Sequence, residues 1–518
     1  MNSDARHGLL ADVDRVCDLV GTTLGPFGTN KLVIESGGRV TTTSSGPLLL
    51  ERLELDDPAT ILLRQAATDF RDKHGDGATR VVLLTGALLS QADELIEQGL
   101  HPSTIARGYR DAFDVASDRL TARARLLSLV GAKQVAKTAL TGTRNPATRR
   151  HVSEAIASVA TNMAADSSVD TDRPNIDVVA RIGSVGDTEL VEGVVIETPL
   201  VSDAMPRRQR DAGVALLSST VDIPRLGGAT DSSNRSVSLD VDSFEERAEI
   251  GEYERDQFRQ MLSAASEAGC RFIATEGAIN DRVKMQVADA GITAIERVDD
   301  DVMRRLVQNT GGQVVSSLED VTAETMGTAD VRFERLAGRE FVTVEGTAEQ
   351  LYTLVCRAPD PRSVSAFETS ARSAISATFQ ALTDEQVVPG GGATEIDLEK
   401  SVREAARGVA SREQLATEGF AHALTAVPRQ LATSAGLDGW TSVLRLRVAH
   451  NEGRSSMGVD ALSGDIRDVL DSNPIVEPRR LQCDILGAAT DLAVQLIRID
   501  AQLSASNLAD DTQSPPVQ

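Results

Sequence analysis

Lysine is scarce in this 518-residue chain: only Lys31, Lys73, Lys133, Lys137, Lys284 and Lys400 contribute to its 53 basic residues, and the rest are arginines. Against them stand 77 acidic residues, for a formal net charge of −24. Such a charge repels phosphate, which excludes nucleic acid and anionic membrane surfaces as expected partners. An Asp/Glu-rich, Lys-poor surface is what solubility in concentrated salt favours, and the chain reads as halophilic. Cysteine is equally sparse. Cys17, Cys270, Cys356 and Cys483 lie far apart with no CxxC pair, so they read as small buried hydrophobes in a reducing compartment rather than a disulfide or zinc framework. The six histidines are scattered and give no His-based metal site. No apolar run approaches the ~20 residues of a membrane span, and residues 1–10 are too polar for a signal peptide. A cytoplasmic location is expected.

What is present is ordinary for a large globular protein. The length predicts about three domains at roughly 150 residues each, and a hydrophobic content of 41% supplies several cores. Residues 11–20 read as a helix stopping at Gly21. Residues 31–43 contain a hairpin around Gly37-Gly38. Residues 80–97 form an apolar-periodic helix ending at Gly99, and Pro102 suits the first turn of the next. From Ser184 the texture changes to short β-type runs (191–197, 214–218, 271–275, 292–296, 313–317, 340–345) alternating with helical ones, including a charged amphipathic helix over 244–268. Helical character returns at 363–382 and persists to about Ala501; the tail 504–518 is polar and reads as loose. No short-period repeat is visible. A helical start, an α/β middle and a helical end predict one domain built from both termini with another inserted into it.

Three glycine-rich segments carry the chemistry: Thr23-Leu24-Gly25-Pro26, Gly75-Asp76-Gly77-Ala78-Thr79 and Val387-Val388-Pro389-Gly390-Gly391-Gly392. A glycine turn ahead of a helix bares backbone N–H groups at the positive end of the helix dipole, where phosphate can bind. Gly75–Thr79 ahead of the helix at Arg80 meets that description, and Asp76 is free to hold a Mg²⁺ that bridges phosphate oxygens. Alone, each segment is a common structural turn. Together and in this order, they resemble the nucleotide pocket of the group II chaperonins, the thermosome-type subunits. Further segments carry the resemblance: 190–196 with Met205-Pro206, Ala435-Gly436-Leu437-Asp438, Ile475-Val476-Glu477-Pro478, and 496–500. It covers nearly the whole chain.

The resemblance implies an α+β multidomain fold. Residues 1–130 and 393–518 would form a helical equatorial domain, 131–190 and 346–392 a hinge-like intermediate domain, and 191–345 an α/β apical domain with a helical protrusion over about 227–262. It implies ATP and Mg²⁺ as cofactors, non-native polypeptides as clients, and a homo- or hetero-oligomeric double ring. It makes Thr23, Leu24, Gly25, Pro26, Gly46, Asp76, Gly77, Ala78, Thr79, Arg80, Gly391, Gly392 and Glu477 nucleotide-binding, with Asp76 on the metal and Glu477 on the ribose.

The chain departs from that pattern where the family carries catalytic groups. Ser44-Ser45-Gly46 stands for the usual Asn-Asp-Gly, Ala78 for a hydroxyl-bearing residue, and Thr141-Gly142-Thr143-Arg144 for a stretch with a γ-phosphate-sensing lysine. The catalytic aspartate position is Ser373, within Arg372-Ser373-Ala374. A serine does not take a proton from water at neutral pH without a base of its own, so a general-base contribution of ~10²–10⁴-fold would be lost. The leading expectation is a chaperonin subunit weak in hydrolysis. The rivals are a fully active ATPase in which Arg144 or Arg372 replaces the cation and Glu368 or Asp384 replaces Ser373, a nucleotide-independent scaffold or holdase, and an unrelated enzyme with chance glycine turns.

Overall fold

The computed structural model describes residues 3–34, 38, 40–43, 45–143, 145–165, 175–223, 244–336 and 339–499. They belong to two compact units. One combines Met1–Pro174 with Pro361–Gln518, and the other is Asn175–Asp360.

The unit drawn from both ends is built on the helix Ala78–Glu97. Its residues Val81, Val82, Leu84, Leu88, Leu89 and Ala92 are all buried, so it is enclosed on every side by Ser3–Gly21, Pro102–Arg123, Glu413–Leu424 and Arg479–Ile497. Tyr109 joins two of these layers: its hydroxyl donates to the Leu88 carbonyl at 2.7 Å, and its ring meets Phe420 edge-on at 5.8 Å. Helix starts follow local chemistry. Asp57 accepts from the Ala59 and Thr60 N–H groups, with Pro58 in the first turn, satisfying donors that have no partner inside the helix. The hairpin expected over 31–43 is present, pairing Lys31–Ile34 antiparallel with Val40–Thr43. The C-terminal half is less uniformly helical than its sequence texture indicates. Gln386–Pro389 lies between Val476–Pro478 and Arg125–Leu126 in a three-stranded sheet, and Met457–Asp460 pairs with Asp465–Asp468.

The central unit holds a seven-stranded mixed sheet in the order Val194–Glu197, Arg339–Gly346, Gly327–Leu336, Arg208–Leu217, Cys270–Thr275, Thr293–Ile295, with Val314–Val315 also pairing to Arg208–Leu217. The helices Phe244–Glu267, Asp281–Asp289 and Asp300–Thr310 belong to the same unit, and Phe258 and Phe272 are fully buried in its core. A second sheet places Tyr352–Ala358 between Ile176–Ile182 and Glu189–Glu192. The run 191–197, expected as one strand, is two strands in two sheets. Gly193 breaks it: its φ is +103°, and a Cβ there would sit 2.3 Å from the Val344 carbonyl oxygen, so the chain turns close against a neighbouring strand. The protrusion expected over 227–262 lies partly outside the described residues, as do Ser44, Arg144 and the tail 504–518.

Candidate functional site

Two helix N-termini and two glycine turns form the site, all within the unit made from both chain ends. The helix Pro58–His74 ends at Gly75 (φ +69°), and Ala78–Glu97 starts at Gly77 (φ +89°), which leaves Asp76 alone between them. The helix Ala393–Ala406 starts at Gly392 (φ +76°) directly after Gly391 (φ +63°). Neither glycine cap has a side chain to accept from the first-turn N–H groups. Both helix starts can therefore take an anion.

The sequence-predicted residues converge in part. Gly46 faces Thr79 and Thr23: a Cβ on it would lie 2.6 Å from Thr79 Oγ1 and 3.2 Å from Thr23 Oγ1. Three of the four glycine-bearing segments thus approach one another at van der Waals distance. The fourth, Gly390-Gly391-Gly392, runs beside Glu477, because Val388 pairs with Glu477 across the small sheet. A Cβ on Gly390 would lie 3.4 Å from the Glu477 Oε1. Leu24 packs on the main core and Gly25 takes φ +86°. Pro26 is partly buried and Ala78 fully so. Ser45 caps the short helix Gly46–Arg52, its hydroxyl accepting from the Leu48 N–H at 3.5 Å. Thr143 is buried in a loop pressed against the helix Pro361–Asp384, where a Cβ on Gly142 would overlap the Ala366 carbonyl.

Ser373 lies beside the Gly75–Gly77 turn. Its hydroxyl donates to the Gly75 carbonyl at 3.0 Å and also acts on the Asp76 carboxylate. One and two turns further along the same helix, Ser376 and Gln380 both donate to the His74 carbonyl at 2.7 Å. Asp76 is held above the ordinary aspartate pKa by burial, and Arg80, the Gly77 N–H and Ser373 oppose that rise. The two carboxylates considered as substitutes for Ser373 are engaged elsewhere. Asp384 holds Arg479 through both oxygens, at 2.6 and 3.1 Å, and Glu368 pairs with Arg372 at 3.2 Å on an exposed helix face.

Comparison with known proteins shows the family of the chain. Residues 16–507 match the model of the TCP-1/cpn60 chaperonin family. The chain belongs to that chaperonin family. It is 34% identical over 503 residues to a thermosome subunit of Methanopyrus kandleri, covering 95% of this chain and 91% of that protein. It is 32% identical to thermosome subunit 1 of Haloferax volcanii and 33% to thermosome subunit alpha of Halobacterium salinarum, covering 95% of this chain and 88% and 87% of those proteins respectively. These relatives make it a group II chaperonin subunit, a molecular chaperone of the thermosome type.

Two residues of the buried cluster beside the glycine turns escaped the sequence reading. Arg80, 7% exposed, pairs with Glu477 and also donates to Gln482 Oε1 at 2.7 Å; Gln482 in turn donates to Glu395 Oε1 at 2.7 Å. Glu395 is 3% exposed, and burial together with the neighbouring Glu477 raises its pKa, with Arg80 opposing. Glu395 stands three residues past Gly392 in a helix whose neighbouring positions are all buried. A glutamate in such a run is a signal of an internal partner. Gln482 carries no comparable signal.

Proposed function

We propose that this chaperonin subunit binds ATP with Mg²⁺ at the pocket described above, hydrolyses it slowly, and works in a cytoplasmic double ring that encloses non-native polypeptides. Residues 1–130 and 393–518 would be the equatorial part, 131–190 and 346–392 the hinge, and 191–345 the apical, client-binding part. Non-native clients expose apolar surface, which an apical domain can bind, and nucleotide would bias the open and closed states through the hinge. The ring is homo-oligomeric or shared with paralogues. The acidic surface fits work in concentrated salt.

The two uncapped helix starts fit phosphate, and Asp76 fits a metal that reaches the site together with phosphate oxygens. Mg²⁺ typically keeps several waters and takes only one or two protein carboxylates. Among the described residues, no cluster of three His, Cys, Asp or Glu side chains is placed to hold a metal by itself, which favours delivery with the nucleotide. When bound, the metal would neutralise phosphate charge; Asp76 would orient it, and the N–H groups at Gly77–Thr79 and Gly392–Thr394 would hold anionic oxygens.

The observation that carries slow hydrolysis is Ser373 Oγ donating to the Gly75 carbonyl at 3.0 Å. The hydroxyl sits where the resemblance puts a catalytic carboxylate, and with its one proton given to the backbone it offers only neutral lone pairs, too weakly basic to take a proton from water. Nucleotide binding followed by single-turnover ATP hydrolysis tests the proposal. Binding with slow chemistry is expected; binding with turnover equal to that of an active thermosome subunit refutes the slow-hydrolysis part, and absence of binding refutes the pocket.

A further inference from the structure

The helix Pro361–Asp384 brings three hydrogen-bond donors, spaced i, i+3 and i+7, to the end of the helix Pro58–His74. Ser373 Oγ donates to the Gly75 carbonyl at 3.0 Å, and Ser376 Oγ and Gln380 Nε2 both donate to the His74 carbonyl at 2.7 Å. Gln380 Nε2 also reaches Ser376 Oγ at 3.4 Å. The approach is close enough to require glycine: a Cβ on Gly75 would lie 2.5 Å from the Ser376 Cβ and Oγ. Gln380 Oε1, by contrast, is buried with no hydrogen-bond partner among the described residues. A buried amide oxygen left without a donor is costly. This position therefore draws on the donating half of the amide alone.

The carbonyls that receive these donors stand where two helix dipoles meet. His74 and Gly75 close the negative end of one helix, and the uncapped first turn from Ala78 opens the positive end of the next. An anion at the second end has the carbonyls of the first only a few residues away. Bare, those oxygens repel it. A donor on each draws off part of the negative charge, and the three together also fix the left-handed Gly75 that aims the turn.

We infer that Ser376 and Gln380 are positioning residues for the anion subsite at this turn: by donating to the His74 carbonyl they make the turn present N–H groups, and not carbonyl oxygens, to a phosphate. The inference rests on the nucleotide-pocket reading given above and names residues outside the turn that set its affinity. Both act through the backbone of His74 and Gly75.

The test is equilibrium titration of the assembled protein with ADP in molar KCl, comparing wild type, Gln380→Glu and Ser376→Ala. Gln380→Glu keeps the shape of the side chain. Ionised, the introduced carboxyl only accepts; protonated, it donates an O–H to the His74 carbonyl in place of the amide. Its surroundings raise its pKa, because one oxygen is buried without a partner and the other faces a carbonyl. The readout is the ratio of variant to wild-type dissociation constants across pH. Neighbouring ionisable groups, namely His74 with Asp484 at 3.7 Å, Asp76, and the Asp384–Arg479 pair, are common to both proteins and cancel in that ratio. Gln380→Glu should bind at least about fivefold more weakly than wild type near pH 8.5, from a lost donor and a charge beside the phosphate, and recover to within about twofold near pH 5.5. Ser376→Ala should be weaker by about threefold at both, without recovery. A Gln380→Glu ratio near one throughout, or equally raised at both pH values, overturns the positioning role and leaves the pocket standing; the second pattern marks general damage to the fit. Should Gln380→Glu fail to fold, an unchanged affinity in Ser376→Ala overturns the role and a threefold loss supports it. If wild type binds no ADP at any pH, the pocket reading falls and this inference falls with it.

Discussion

Asp397→Asn is expected to loosen the unit that carries the site, because this carboxylate ties its two sequence halves together. Asp397 lies on the helix Ala393–Ala406, and both its oxygens hold Arg119 of the helix Pro102–Arg123, at 2.8 and 2.9 Å. Arg123 adds a longer contact at 3.4 Å. The Asp397 side chain is only 7% exposed, while those of Arg119 and Arg123 are 36% and 34% exposed. Removing one partner of a fully buried pair costs ~3–5 kcal/mol. Here the stranded guanidiniums can regain water, so the expected cost is smaller, about 2–3 kcal/mol, close to that of losing one or two charged hydrogen bonds. In a unit of this size that corresponds to roughly 5 °C in the unfolding midpoint. Scanning calorimetry in 2 M KCl measures it, and a cycle with Arg119→Gln isolates the coupling. A shift below about 1 °C, or a coupling under ~0.3 kcal/mol, would show that the pair is merely a surface contact and would refute the reasoning.

Gly392→Ala should destabilise by about 2–4 kcal/mol, since it adds left-handed strain to a clash with Pro428, whose Cβ and Cα would lie 2.5 and 2.8 Å from the new methyl; chemical unfolding measures it, and a neutral result contradicts it. Glu395 has a folded pKa above its unfolded value, so its proton favours folding at low pH and that contribution is lost as pH rises from the unfolded to the folded value. Glu395→Gln should therefore flatten the decline of stability as pH rises above the ordinary glutamate range, and an unchanged slope counts against the assignment. Asp76→Ala should abolish nucleotide binding or its dependence on Mg²⁺, read by titration with and without a chelator; binding that stays metal-dependent removes Asp76 from the metal. With 77 acidic against 53 basic residues, the midpoint should rise between ~0.1 and ~2 M KCl as the Debye length shrinks from about 10 Å, and an unchanged midpoint contradicts a salt-adapted surface.

Much of this was legible in the chain because local chemistry and tertiary context agree. Gly21 and Pro102 mark real helix ends, and the hairpin over 31–43 pairs as its β-branched texture indicates. The failures have physical causes. Residues 191–197 have the β-branched texture of one strand, but the close approach at Gly193 divides them between two sheets. The strand Gly327–Leu336 was not among the β-type runs read from the sequence: buried Ala329, Val331 and Phe333 alternate along it, but the charged residues between them break up its apolar texture. Tyr352–Ala358 is buried almost throughout, so it lacks the period-2 signal that marks an exposed-face strand. The Arg80–Glu477–Gln482–Glu395 cluster joins three distant segments. No spacing rule reaches across such separations, and Arg80 reads in sequence as simply another residue of a phosphate turn.

The most direct measurement is ATP turnover by the assembled protein in molar KCl, beside Ser373→Asp combined with Ser45→Asp. The wild type should turn over slowly, and the double replacement should raise the rate by about 10²-fold or more by restoring carboxylates for the attacking water. Wild-type turnover equal to that of an active thermosome subunit, or a Ser373→Ala variant that loses activity, would contradict the account.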